Sequence, residues 1–348
     1  MFRIRAIQVE HGDSLLISYG DDKQPRHLLV DGGPSESSDT LESVLNDVRR
    51  GKRLKLEVLV VTHYDLDHIQ GVIRLLEKNP DWLDIQEIWF NGYHHLKPSD
   101  IMGSSEGDAL SKLIRDRGLS WNASFRKDKN ETEGGRILQS KQPITFSGGL
   151  EIRVLSPDEE GMAALAKDWR DPTSSPPDSE SVPDDLMGRS DNWPPNKYAE
   201  YGGSAFVSDR SVPNKSSIAL LLKFDNKRVL LGADAYSDVV EKGLKMQFES
   251  PVPIDLLKVS HHGSKGNTNK ALLDLLECEK FLISTSGKNH KHPDHALIAR
   301  LVARYDTPKI IFNYSADWPG NWQRSPANWP PYNTQYPNDG EAFVDVLL

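Results

Sequence analysis

Leu56-Glu57-Val58-Leu59-Val60-Val61-Thr62-His63-Tyr64-Asp65-Leu66-Asp67-His68-Ile69-Gln70-Gly71 is the stretch from which the fold is read. Its first six residues are a nearly continuous apolar run of strand length, as a buried parallel strand shows. From His68 to Lys78 the period changes: Ile69, Val72, Ile73 and Leu76 fall at i, i+3, i+4 and i+7, the stripe of an amphipathic helix. Two imidazoles and two carboxylates lie in six residues at the junction. Side chains two apart at a strand end point the same way, so His63 and Asp65 can share one cation, while Asp67 and His68 can face a second. The competing reading is a plain helix start, with Asp67 as N-cap and the histidines at the surface.

Outward from this junction the same alternation recurs. Phe2–Val9, Ser14–Tyr19 and His27–Val30 read as strands before the turn Asp31-Gly32-Gly33-Pro34, and Thr40–Arg49 reads as a helix. Strands are expected at Ile85–Phe90 and Leu150–Leu155, with a helix at Asp108–Arg117. Later come a hairpin, Ile218–Phe224 with Arg228–Leu231, and strands at Ile254–Ser260, Lys280–Thr285, Lys309–Phe312 and Ala342–Leu348. Helices near Ser237–Met246, Lys270–Leu276 and Pro293–Arg304 separate them. The pattern is that of an α/β layered fold, two similar halves packed as one sandwich. Residues 157–213 break it. Asp171-Pro-Thr-Ser-Ser-Pro-Pro-Asp-Ser-Glu-Ser-Val-Pro-Asp-Asp185 is Pro-, Ser- and acid-rich, and reads as a surface insertion in one 348-residue domain, too poor in apolar residues to be a second one. It would serve as a lid or as a docking element for a protein partner. The aromatic, Pro-rich segment at 313–340 reads as a coil pinned to the sandwich by its rings, against the alternative of a stacking platform for single-stranded nucleic acid built on Trp322 and Trp329.

Composition limits the chemistry. Lys and Arg number 42 against 51 Asp and Glu, a net charge of −9, so any nucleic-acid contact is local. One cysteine, Cys278, excludes a disulfide framework and a thiolate zinc site. No apolar run approaches the roughly 20 residues that span a bilayer, and the start has no apolar signal region; no membrane partner and a cytoplasmic setting are the expectation.

Two further clusters complete a candidate centre. Leu230-Leu231-Gly232-Ala233-Asp234 delivers a carboxylate at a strand end, where open α/β sheets place reactive groups, although Asp234 alone also reads as the N-cap region of the next helix. Ser260-His261-His262-Gly263-Ser264 offers two adjacent imidazoles; these point apart unless the chain turns, so one is expected to bind metal. Together these residues resemble the metallo-β-lactamase fold superfamily, His-x-Asp-x-Asp-His standing for its His-x-His-x-Asp-His motif. Within it the sequence is most similar to the soluble C-terminal hydrolase domain of ComEC-type DNA-uptake proteins, which share Asp in the second motif position, a Gly-Asp strand end, His-His-Gly-Ser and a later His-Pro, here His292-Pro293. The likeness runs from about Phe2 to Leu348, the insertion apart.

The resemblance implies a four-layer αββα sandwich and two divalent metal ions, Mn²⁺ or Zn²⁺ with Mg²⁺ also possible. One would be held by His63, Asp65 and Asp234, the other by Asp67, His68, Asp234 and His262 or His261, with His262 favoured. Asp31 matches a structural Asp that props the metal loop. The superfamily's middle His is missing, since no histidine falls between His95 and His261; Asn214 or a water fills that place. Replacing an imidazole with Asp65 hardens the donor set toward Mn²⁺ or Mg²⁺. The reaction implied is hydrolysis of a phosphodiester, most concretely DNA, through a metal-bridging hydroxide oriented by Asp67, with His292 protonating the leaving group and His290 and His295 behind it. Lys265, Ser264, Asn214 and Lys291 are candidate substrate contacts, and Lys258, Lys270 and Lys288 fall near the same loops. The alternatives are a small-molecule hydrolase of the same fold, acting on a lactone, β-lactam, thioester or cyclic nucleotide, or a metal-stabilised subunit of a larger system.

Overall fold

The computed structural model describes residues 1–49, 51–96, 105–128, 134–169, 192–202 and 205–348. Two sheets face one another. In spatial order the first runs Phe343–Leu347, Phe2–Ile7, Leu15–Gly20, Pro25–Val30, Leu54–Val60 and Leu83–Ile85, with Ile88–Trp89 also paired to Leu54–Val60. The second runs Asn333–Gln335, Lys309–Phe312, Lys280–Ile283, Leu256–Lys258, Lys227–Leu231, Ala219–Phe224, Glu151–Ser156 and Ile144–Thr145. Alternation along each strand sends one set of side chains inward: Ile4, Ile17, Leu28, Val58 and Val60 meet Val154, Leu220, Val229 and Leu256 in a dry layer between the sheets. The opposite face of the first sheet packs on helices Ser38–Arg49, Leu66–Lys78 and Ser105–Asp116, and that of the second on Ser237–Gln247 and His295–Arg304. The order is helix, sheet, sheet, helix, the expected αββα sandwich.

The strand expected at Ile254–Ser260 divides. Val252–Ile254 pairs in parallel with Leu276–Cys278 in a small separate sheet, and Leu256–Lys258 joins the large one. Within the stretch read as an insertion, the described residues include helix Glu159–Asp168, whose Met162, Leu165 and following Trp169 are buried. The acid-rich run Asp171–Asp185 lies outside the described residues. At the other end of the chain Trp322 is fully buried, and Trp329 and Tyr332 nearly so. The Trp329 indole donates to Asn196 O (3.0 Å) and the Tyr332 hydroxyl to Trp322 O (3.1 Å). Rings so enclosed have no free face, so the stacking-platform reading of this segment fails. Among the described residues no helix is long and apolar enough to cross a membrane.

Two close backbone approaches set the site. A Cβ on Gly71 would lie 1.9 Å from Gly32 O, and one on Gly12 1.9 Å from Asp67 O; only glycine lets these turns seat against helix Leu66–Lys78. Gly32 N–H donates to His68 O (2.9 Å) and Gly71 N–H to Gly33 O (2.7 Å), locking the Asp31 turn onto the first turns of that helix.

A titration far from this site gives a stability test. His27 is 7% exposed with Nδ1 3.0 Å from Ser18 Oγ. Burial, helped by the Arg3 charge, pushes its pKa down to about 4. The unfolded imidazole titrates near 6.5, so between pH 6.5 and 4 the unfolded chain takes a proton that the folded one refuses. The stabilisation is complete above pH 6.5 and declines as pH falls. Denaturation of wild type and His27→Gln at pH 7 and 4.5 should show the variant losing about 2–3 kcal/mol less over that interval. Equal losses would mean that His27 does not titrate differently in the two states.

Candidate metal centre

The loops that carry Asp31, His63, Asp234 and His261-His262 leave the C-terminal ends of strands. Parallel pairing of Pro25–Val30 with Leu54–Val60 sets Val30 beside Val60, so Asp31 emerges next to Thr62 and His63. Parallel pairing of Lys227–Leu231 with Leu256–Lys258 sets Leu231 beside Lys258, so the Asp234 and His261 loops emerge together. Ile218 N–H donates to Thr62 O (3.0 Å), joining the two sheets at this rim.

Asp31, itself fully buried at φ 60°, orients the first loop. Its Oδ1 accepts from Thr62 N–H (2.8 Å), and its Oδ2 accepts from Thr62 Oγ1–H (2.8 Å) and His68 Nδ1 (2.9 Å). These bonds orient the His68 ring and leave its Nε2 bare. His262 Nδ1–H donates to Ser284 O (2.9 Å), again leaving Nε2 bare. Around Asp234 Oδ2 stand His68 Nε2 at 3.4 Å, His262 Nε2 at 3.7 Å and His261 Nε2 at 3.8 Å. Asp67 Oδ2 lies 3.3 Å from His262 Nε2 and 3.7 Å from His68 Nε2, and Asp65 Oδ2 lies 3.5 Å from His63 Nε2. One donor atom each of His63, His68 and Asp234 fall within 4.8 Å of one another, as do those of Asp67, His68 and His262.

These residues fit divalent cations. His63 Nε2, His68 Nε2, His262 Nε2 and Asp234 Oδ1 are buried atoms without a hydrogen-bond partner, a costly state unless a cation completes them. Burial lowers the His68 pKa, yet the charges of Asp234, Asp67 and Asp31 outweigh it and hold the group well above the ordinary range. Burial raises Asp234 and Asp67, and the neighbouring imidazoles, His68 first, overcome it and hold both carboxyls below the ordinary range. The pocket thus concentrates negative charge that demands a positive partner.

Some expectations change in three dimensions. His261 and His262 point apart unless the chain turns, and only one of them was expected at the metal. The chain does turn: Ala233 (φ 45°), His261 (φ 48°), His262 (φ 55°) and Gly263 (φ 93°) take left-handed conformations, and both imidazoles face Asp234. Left-handed non-glycine residues in such number are strain held by the surroundings, as functional sites show. The N-cap position of helix Leu66–Lys78 is taken by Asp65, not Asp67, and its side chain makes no capping bond. Lys258 was grouped with substrate-facing lysines; it is fully buried and ion-paired to Asp13, so it cannot reach a phosphate. Lys270 pairs with Asp274 and Lys288 with Glu10. Lys291 lies over the Trp318 ring, 5.5 Å from its centroid. The Lys265 N–H donates to Asp294 Oδ2 (2.7 Å), and the buried Ser264 Oγ accepts from Gly266 N–H (3.2 Å). His292 is buried, its ring 5.9 Å from that of His261, with Nδ1 3.4 Å from Asp294 Oδ1. His295 sits farther back, stacked on Trp318.

Asp209 and Asp13 escaped the sequence reading. Asp209 Oδ2 accepts from Asn214 Nδ2 (2.7 Å) and Asn267 Nδ2 (2.9 Å) and lies 3.2 Å from His261 Nδ1. With Asn267 Oδ1 2.9 Å from the same nitrogen, the His261 Nδ1 proton is fixed and Nε2 faces Asp234. Asn214 is buried with Oδ1 unpartnered. Asp209 lies in an aperiodic stretch whose only hint was its nearness to Asn214. Asp13 Oδ1 lies 3.5 Å from His262 Nδ1, behind the centre.

The metallo-beta-lactamase superfamily model matches residues 11–81, which include Asp31, His63, Asp65, Asp67 and His68. The chain is 22% identical over 316 residues to ComE operon protein 3 of Bacillus subtilis (strain 168), covering 86% of this chain and 30% of that protein. It therefore spans under a third of that relative's length. Among solved structures, YhfI, a metallo-beta-lactamase fold protein of Bacillus subtilis, aligns at TM-score 0.43 and 12% identity over 91% of this chain and 98% of its own. A diphosphatase from the PhnP family aligns at TM-score 0.40 and 11% identity over 99% and 98%. The matched segment carries the motif and the αββα layers surround it, so the chain has a metallo-β-lactamase-like αββα fold and is similar to that superfamily over residues 11–81.

Proposed function

We propose that the protein is a metal-dependent phosphodiesterase acting on DNA at a dinuclear centre. One observation carries the reading: three bare imidazole nitrogens and a carboxylate oxygen, all buried and unpartnered, gather around Asp234 with Asp65 and Asp67 beside them. His63, Asp65 and Asp234 would hold one cation, and Asp67, His68, His262 and Asp234 the other, with His261 and Asn214 at the position where the superfamily's middle His is missing. When bound there, divalent cations would supply Lewis acidity and lower the pKa of a nearby water. The oxygen-rich donors favour Mn²⁺ or Mg²⁺ over the zinc of His-rich sites, and so favour phosphoryl chemistry over lactam opening. Asp67, on the first helical turn, orients the attacking water, and His292 donates a proton to the leaving oxygen. The similarity to ComE operon protein 3 and the resemblance to DNA-uptake hydrolase domains support DNA as the phosphodiester.

The test is cleavage of labelled single- and double-stranded DNA with Mn²⁺, Mg²⁺ or Zn²⁺, alongside bis-p-nitrophenyl phosphate and a chromogenic lactam. Mn²⁺-dependent cutting is expected, falling more than about 10³-fold in Asp67→Ala/His68→Ala because that pair removes several kcal/mol of transition-state charge stabilisation. Turnover of the lactam with no cutting of either phosphodiester would shift the assignment to a small-molecule hydrolase.

A further inference from the structure

At the end of the first sheet remote from the metal centre lies a cleft of about 520 Å³ formed by the Phe2–Ile7 strand, the turn before Pro25, the end of helix Ser38–Arg49 and the start of strand Leu54–Val60. Its wall carries seven Lys and Arg against two Asp, on a chain whose net charge is −9. Arg49 bonds Asn46 Oδ1 and the Lys52 carbonyl, and the other six cations are of two kinds. Arg5 is neutralised by a two-pronged bond to Asp345 (2.8 and 2.7 Å), and Arg3 lies 3.8 Å from the same carboxylate. Lys23, Lys52, Arg53 and Lys55 are exposed and have no acidic partner among the described residues. Of the two acids, Asp22 is engaged by the Met1 ammonium (3.4 Å). Four free cations in a concave wall, with much of the nearby negative charge already committed, form a local positive field that the overall charge conceals.

We infer that this cleft is a second nucleic-acid site, an anchor for the phosphate backbone of a polymer whose scission occurs elsewhere. The inference rests on the DNA reading above for its ligand class. The ligand is a polyanion because the free cations are spread along one wall and are not gathered around one point. Arg53 and Lys55, two apart in extended chain at the strand's start, project to the same side and follow a backbone. A concave, charge-lined wall also suits a strand better than the flat surface of a bilayer. Strand Leu54–Val60 separates the cleft from His63 by roughly 20 Å at about 3.3 Å per residue. The anchored segment is therefore not the one being cut. Long substrates gain affinity from the cleft, and a dinucleotide analogue does not.

The experiment uses the full chain and Lys52→Ala/Arg53→Ala/Lys55→Ala, none of which belongs to the metal centre. Binding of a labelled 30-nucleotide single strand is measured by anisotropy in EDTA over a range of salt, and turnover of bis-p-nitrophenyl phosphate with Mn²⁺ is measured separately. The variant should bind at least about tenfold more weakly at 100 mM salt, with its log–log salt slope shallower by about 2, as loss of three phosphate contacts gives for a single strand. Its small-substrate turnover should equal wild type. Unchanged affinity and slope overturn the anchor even if the protein cuts DNA. Cleft-dependent binding in a protein that cuts nothing leaves the anchor standing and removes the catalytic reading. Unchanged DNA affinity with lost binding to phosphatidylserine vesicles overturns it in favour of a lipid surface.

Discussion

Asp234→Asn should abolish tight loading of both cations and lower phosphodiester turnover by at least about 10³-fold, a loss of 4 kcal/mol or more from the transition state. Asp234 Oδ2 lies within 3.8 Å of Nε2 of His68, His262 and His261, and a donor atom of Asp234 lies within 4.8 Å of one of His63; in the proposed scheme it is the ligand both halves share. The amide keeps the size and one carbonyl oxygen. It replaces the other oxygen with an NH₂ donor and deletes the charge that lifts the His68 pKa most. Two divalent cations would then share less negative charge, and one face of the pocket would present hydrogens to them. Metal content, Mn²⁺ titration calorimetry and thermal melting read the outcome together. Mn²⁺ at a hundred times its Kd should stabilise wild type by about 2.7 kcal/mol per site and leave the variant's Tm nearly unmoved. In EDTA the variant should be somewhat less stable than wild type, because it loses the carboxylate that pairs with His68 in the metal-free chain. A variant that still binds two ions per chain and keeps turnover within tenfold would show that Asp234 is not the shared ligand.

Much of the centre was legible because the chain writes it locally. His63, Asp65, Asp67 and His68 sit where the period changes from strand to helix, and that position alone places them at a strand end. Asp234 and His261-His262 were likewise legible as strand termini. Backbone conformation was less so: an adjacent His-His pair reads as divergent until successive left-handed residues fold it inward. Lys258 illustrates a different limit. A lysine next to a site reads as solvent-facing, because its buried partner, Asp13, is 245 residues away and nothing local announces the pairing. Asp209 was invisible for the same reason, reaching His261 from a stretch with no periodicity. The basic cleft was hidden by averaging, since an acidic total says nothing of where its cations gather. Trp322 and Trp329 were read as rings pinning the coil to the sandwich, and they are buried in its core, since sealing a core is the commoner use of an aromatic cluster.

Lys258→Met should destabilise the protein by about 3–5 kcal/mol, the cost of stranding one member of a buried ion pair. The Lys258 ammonium is wholly enclosed, bonded to Asp13 Oδ2 and 3.5 Å from Ala233 O, and Met matches the apolar stem without offering a charge. Asp13 would remain at 1% exposure with nothing to neutralise it. Its other oxygen lies 3.5 Å from His262 Nδ1, the nitrogen that now donates to Ser284 O. An unpaired Asp13 would compete for that proton and turn the imidazole, so Mn²⁺ affinity should fall by about 10–100-fold as well, the usual effect of disturbing a group that orients a ligand. Asp13→Asn/Lys258→Met removes both charges together and should recover most of the lost stability, because a neutral pair of similar volume avoids the desolvation that the ions incur. Urea denaturation in EDTA of wild type, both single variants and the double variant closes the cycle, with metal occupancy held out of it. A cost below about 1 kcal/mol for Lys258→Met, or a double variant no more stable than the single, would mean that water reaches Asp13 and that the pair is not the buried prop behind His262.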